Sequence, residues 1–194
     1  MAYILDTNTL ITAKNLYYAY DLVPSFWSYM LQEFQKSNVK TIDAVEREIM
    51  QGHDDLAVWF QENVIGGIAG NGEKYILPVR ENESVLHCYR NVADLVIMNS
   101  QYKDEYKTQT LIANKIEFTR NNLSSALKGD EKYFLPVADP WLIAAAKAGE
   151  HTVVTLEVLP AANTTKVKIP DICRQMGVRF MHLFDMMREL QIRI

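Results

Sequence analysis

Short β-prone runs alternate with segments of helical periodicity along this chain, and that order leaves few folds open. A strand followed by a helix before the next strand pairs in parallel, so the expectation is an α/β fold with a parallel sheet covered on both faces. The first run, Tyr3-Ile4-Leu5, ends in Asp6 and the polar cluster Thr7-Asn8-Thr9. It reads as a strand whose C-terminal tip delivers a carboxylate into a strand-to-helix turn. Val39 to Ile42 and Thr152 to Leu156 read as further strands, and Val178 to Leu183 as the last.

Between them the helical signals are local. One helix is expected from about Thr9 and another from Pro24, where Phe26, Trp27, Met30, Leu31 and Phe34 fall at helical spacing. Asp43-Ala-Val-Glu46 has the form of a capping box opening a helix toward Gly52, with Glu46 as its returning acid. Asp54 to Asn63 continues or partners that helix. Ser84 is the expected cap of a helix with Val85, Leu86, Tyr89, Val92, Ala93 and Val96 on one side. Asp139-Pro140 reads as N-cap followed by proline at the first helical position. Pro170 to Met176 is a short helix stopped at Gly177, and Phe184 to Leu190 another. The glycine-dense stretch Ile65 to Gly72 reads as a loop, and without a GK[ST] ending or GxGxxG spacing it is no phosphate cradle.

Composition narrows the function. With 194 residues, 48% of them hydrophobic, the chain can bury one core and is read as a single domain over residues 1–194. No signal-peptide pattern opens it and no apolar run approaches the roughly 20 residues of a membrane span, so a soluble, cytoplasmic protein with no membrane partner is expected. Cys88 and Cys173 have no CxxC partner, and His53, His87, His151 and His182 show no ligand spacing. The balance of 20 Lys and Arg against 24 Asp and Glu speaks against nonspecific coating of nucleic acid.

Four acids fall at expected strand tips or helix starts: Asp6, Glu48, Asp139 and Glu157. In a parallel sheet the C-terminal strand ends share one edge, so acids far apart in sequence converge there. Carboxylates crowded in one cleft raise each other's pKa values unless a cation lies among them. Hard oxygen donors suit Mg2+ or Mn2+, which can activate water and neutralise a phosphoryl group. Three of these acids also have a structural reading: an Asx turn for Asp6, a helix cap for Asp139 and a solvated loop for Glu157.

Four stretches in order resemble the PIN-domain family of metal-dependent nucleases. YILDTNTLI at 3–11 resembles its opening strand and aspartate, and Glu48-Ile-Met-Gln-Gly52 its E-L-x-x-G helix. Asp139-Pro-Trp-Leu-Ile-Ala-Ala-Ala resembles its D-x-x-I-A-A helix start, and Val153-Val-Thr155-Leu-Glu157 its strand ending in Thr-x-Asp. Lys168 to Cys173, with the segments that follow to Leu190, resembles a bacterial PIN-like subfamily. Two stretches depart from the pattern. Glu157 stands where the family shows Asp or Asn, and residues 101–135 match no part of it and read as an inserted helical element.

The resemblance implies a three-layer α/β/α fold around a parallel sheet of four or five strands. It implies Asp6, Glu48 and Asp139 as holders of Mg2+ or Mn2+, Glu157 as a further catalytic acid, and Asn8 and Thr155 in support. It also implies hydrolysis of single-stranded RNA, often as the toxin of a type II toxin–antitoxin pair, in a dimer blocked by a cognate antitoxin. Two other readings compete. A non-catalytic RNA- or protein-binding module could keep the fold. An aspartyl-nucleophile phosphatase would need a second acid two residues after Asp6, where Asn8 stands.

Overall fold

Five short strands build one sheet in the order β3-β2-β1-β4-β5, all parallel, in a computed structural model that describes residues 1–102, 127–159 and 166–194. The strands are β1 (Tyr3–Leu5), β2 (Val39–Ile42), β3 (Ile76–Leu77), β4 (Thr152–Val154) and β5 (Phe180–Met181). Tyr3 lies opposite Val39 on one side and Thr152 on the other, which places β1 at the centre. Every residue of β2 and β4 is buried, as expected of parallel strands covered on both faces. The chain runs outward from β1 through β2 to β3, then returns to the other side of β1 for β4 and β5. The order therefore reverses between β1 and β4, and the crevice at their C-terminal ends is the topological switch point.

The helices flank this sheet in a three-layer α/β/α arrangement. They are α1 (Thr7–Thr12), prolonged by a π-helical turn Ala13–Tyr17, α2 (Pro24–Gln35), α3 (Asp43–Gln51), α4 (Asp55–Asn63) and α5 (Glu83–Asn99). After them come α6 (Glu131–Phe134), α7 (Asp139–Ala148), α8 (Ile169–Met176) and α9 (Leu183–Glu189). Pro140 to Ala146 of α7 are all buried, so this helix is apolar around its circumference and lies inside the core. It packs on α5, where the Tyr89 and Trp141 rings stack with centroids 3.8 Å apart. One cluster of buried side chains, among them Ile4, Leu5, Val39, Phe60, Leu142 and Val153, joins the layers.

Several element starts differ from the sequence reading, each for a local reason. Helix α1 begins at Thr7, not Thr9, because Asp6 leaves the sheet and takes the N-cap position directly. The capping box at 43–46 does not form. Asp43 is already helical, and its carboxylate instead accepts the Val79 N–H at 3.3 Å and pairs with Arg47 at 3.1 Å. Asn82, not Ser84, caps α5 by accepting the N–H groups of Ser84 and Val85. Asp139 is the first helical residue and Ala138 the N-cap, with no side-chain cap, so the capping explanation of Asp139 falls away. β5 is shorter than 178–183 because the Val178 N–H closes α8 by bonding to the Cys173 carbonyl and Leu183 opens α9. Of the inserted helical element expected over 101–135, residues 103–126 lie outside the described residues, and Glu131–Phe134 forms α6.

The isolated thiols and imidazoles have structural surroundings. Cys173 is buried, and burial with Glu157 nearby pushes its thiol up to about 12, so it stays protonated. His151 accepts the Ala2 N–H through Nδ1 at 3.1 Å. Among the described residues no helix is long and apolar enough to cross a membrane.

Gly177 ends α8 in the left-handed region, φ 64°, where a Cβ is disfavoured. A Cβ there would have the Lys147 Nζ, 3.9 Å away, as its neighbour, so Gly177→Ala would be conformational strain and not a clash. The substitution is expected to cost about 1 kcal/mol, a fall of roughly 2–4 °C in Tm, which a thermal melt would read directly.

Candidate active site

Asp6 sits at the switch point. Its N–H still bonds to the Val154 carbonyl at 3.0 Å, so the residue is held by the last rung of the ladder, while its side chain is only 1% exposed. Thr155, leaving β4, donates its hydroxyl to Asp6 Oδ2 at 2.9 Å. Burial raises the Asp6 carboxyl from its ordinary value to about 7, opposed by the Thr155 hydrogen bond and aided by the negative charges of Glu157 and Glu48. Asn8 contributes through its backbone, a smaller downward pull, while its side chain is exposed on α1.

Glu48 projects from α3 and ties three elements together. Its Oε2 accepts the Thr7 hydroxyl at 2.6 Å, and its Oε1 accepts the Ala138 N–H at 3.0 Å, ahead of α7. That second bond fixes the turn that presents Asp139. Asp139 has no hydrogen-bond or ion-pair partner among the described residues. Its carboxyl is raised well above the usual range, chiefly by burial and then by Asp6, Glu157 and Glu48, with Lys168 pulling the other way.

Glu157 is built differently. Its Oε1 pairs with Lys168 Nζ at 3.1 Å and its Oε2 accepts the Ile169 N–H at 2.8 Å, so it anchors the first turn of α8. Its own N–H donates to the Thr155 hydroxyl oxygen at 3.2 Å. Thr155 therefore links Asp6 to Glu157 through one oxygen.

The fold thus brings Asp6, Glu48, Asp139 and Glu157 within electrostatic range of one another, with Thr155 among them and the Asn8 side chain outside. Among the described residues, no three His, Cys, Asp or Glu side chains converge as they stand into a group able to hold a metal ion. The donor chemistry fits a hard divalent cation, since all four side chains offer carboxylate oxygen and their mutual repulsion is what a cation relieves. Asp6 and Asp139 would hold it, and Glu48 or Glu157 would join through the lone pairs their present protein donors leave open.

Two clefts open on this group. One of about 280 Å3 is lined by Asp139, Lys166, Lys168 and Tyr133. Another of about 360 Å3 is lined by Glu48, Ala138, Arg47, Arg80 and Trp141. Sequence reasoning did not single out Thr7, Lys168 or Arg80. Thr7 stood inside the quoted polar cluster, but nothing local marked its partner 41 residues away, and no periodicity signals Lys168 or Arg80.

Fold and site together define a three-layer α/β/α protein whose sheet switch point gathers carboxylates. The chain belongs to the DUF4411 family, a domain of unknown function, whose family model matches residues 3–114 and 98–194. No curated protein and no solved structure matches it.

The raised carboxyls make the metal-free protein sensitive to pH. The unfolded chain releases the Asp6 proton near pH 4, whereas the folded chain holds it until about 7, so unfolding releases a proton between those values and stability falls as pH rises through them. Thermal melts in EDTA from pH 4.5 to 8 should show a declining Tm, and Asp6→Asn should flatten that decline. An equally steep decline in Asp6→Asn would locate the dependence elsewhere.

Proposed function

We propose that this protein is a metal-dependent endoribonuclease that hydrolyses phosphodiester bonds of single-stranded RNA. The observation that carries this reading is the pair Asp6 and Asp139 at the switch point, both carboxyls raised chiefly by burial and further by the negative charges of Glu157 and Glu48, with Asp6 also acting on Asp139. Such a pair is costly to maintain unless a positively charged ligand compensates it. Mg2+ or Mn2+ bound there would neutralise charge developing on the phosphoryl group and lower the pKa of an attacking water. Asp139, without a protein donor, is the acid most open to the cation, while Thr155 holds Asp6 in one orientation and Thr7 with the Ala138 N–H does so for Glu48.

The PIN-like opening strand and acid helices support the same chemistry, and with it a cytoplasmic toxin of a type II toxin–antitoxin pair, acting as a homodimer and restrained by a cognate antitoxin. One observation favours a second reading, an RNA- or protein-binding module without turnover: both Glu48 and Glu157 spend both carboxylate oxygens on protein donors.

The test is a mixed single-stranded RNA pool incubated with the protein in Mg2+, in Mn2+ and in EDTA, beside Asp139→Asn. Because Asp139 is not a cap, the substitution removes charge without removing a helix-capping bond, and the variant should melt at the same temperature or higher. Metal-dependent cleavage is expected in the wild type, with a loss in the variant of at least about 100-fold, the upper end of what losing an outer partner of a metal ligand costs. Cleavage that persists in EDTA would sink the metal mechanism, and inert wild type that still binds RNA would favour the binding module.

A further inference from the structure

Arg80 follows the C-terminal tip of β3, on the same sheet edge that carries the acids. Its position is set by its neighbour: Val79 is buried and donates its N–H to the Asp43 carboxylate at 3.3 Å, which pins the chain just before Arg80 to the start of α3. The Arg80 guanidinium lies over the Trp141 ring, 5.3 Å from its centroid, and Trp141 is in turn stacked on Tyr89 in the core. No carboxylate among the described residues forms an ion pair with Arg80, although Glu48 lines the same cleft. An exposed arginine placed over an aromatic face is suited to bidentate hydrogen bonding with two oxygens of an anion, and a phosphodiester presents such a pair in its non-bridging oxygens.

We propose that Arg80 grips a backbone phosphate of single-stranded RNA in this cleft, so that the strand enters the acid cluster past Glu48. This assignment rests on the single-stranded RNA reading given above. Arg47, on the other wall, is already paired with Asp43 and contributes less. Arg80 shares its cleft with Glu48 and not with Asp139, so its contact is to a phosphate on the Glu48 side of the cluster. Arg80 is therefore a binding residue that steers the strand.

The test separates binding from hydrolysis. Anisotropy of a short fluorescein-labelled oligouridylate is titrated with the wild type, Arg80→Gln and Arg80→Lys in EDTA at pH 6 over a range of salt. Arg80→Gln should raise Kd about 10-fold, the worth of one charge-assisted hydrogen-bonded contact. It should also reduce the slope of log K against log salt by about 0.7, one phosphate contact on a single strand. Arg80→Lys should fall between, since it keeps the charge and loses the flat fork. Equal affinity and slope in the wild type and Arg80→Gln, with equal melting temperatures, would overturn the assignment, as would a wild type that does not bind the oligonucleotide. Cleavage of the same oligonucleotide in Mn2+ is scored separately. Arg80-dependent binding without cleavage keeps this site and removes the hydrolytic reading, whereas cleavage with no Arg80 dependence does the reverse.

Discussion

Negative charge gathered at the end of β1 is the condition around which the neighbouring structure is arranged. Asp6 is almost wholly buried between two paired strands, where an ionised carboxylate loses hydration that water would otherwise supply. The Thr155 hydroxyl answers part of that loss, and the charges of Glu157 and Glu48 add to it. The donors nearby fall into place on this account: Thr7 and the Ala138 N–H on Glu48, Lys168 and the Ile169 N–H on Glu157. Each outer acid is satisfied by protein, and the two inner ones are left with raised carboxyls that hold their protons to higher pH.

Packing of the helical layer is what delivers the last of these acids. Tyr89 on α5 stacks on Trp141 and donates its hydroxyl to the Leu135 carbonyl at 3.0 Å. The chain from Leu135 is thereby held against α5, and three residues later the Ala138 N–H reaches Glu48. With α7 buried on all sides and Asp139 at its first turn, the acid cannot move away from the cluster without shifting a core helix. A buried carboxyl this firmly placed among other acids is the kind of perturbed group that the proposed site would use. The same aromatic pair carries Arg80 on its outer face, so core packing and the entrance to the cleft share a wall.

The membership in DUF4411 covers the chain from strand β1 to the end of α9, and with it the whole carboxylate group. The resemblance of four stretches to PIN-domain motifs supports the proposed metal-dependent chemistry, and that proposal turns on how the acids are held. Glu48 and Glu157 are oriented by four protein contacts, one to each carboxylate oxygen, which leave a lone pair on every oxygen for a cation.

The parallel α/β class, the strand runs at Tyr3–Leu5, Val39–Ile42 and Thr152 onward, and the helix from Pro24 were legible in the sequence, because alternation and apolar spacing are local properties. The four acids were legible too, since each sits beside a strand or helix signal. Cap assignments were not: Asp43, Ser84 and Asp139 all had the right residue type, yet tertiary partners claimed or bypassed them, and Asn82 and Ala138 took the N-cap positions of α5 and α7. The use of each acid was likewise decided only in three dimensions. Whether a carboxylate is free, as Asp139 is, or tied to a helix start, as Glu157 is, depends on donors tens of residues distant or supplied by backbone N–H groups that no side-chain pattern reveals. Local sequence therefore determined which groups reach the sheet edge, and long-range hydrogen bonding and burial determined which of them are tied to protein donors and which are pushed toward the protonated form.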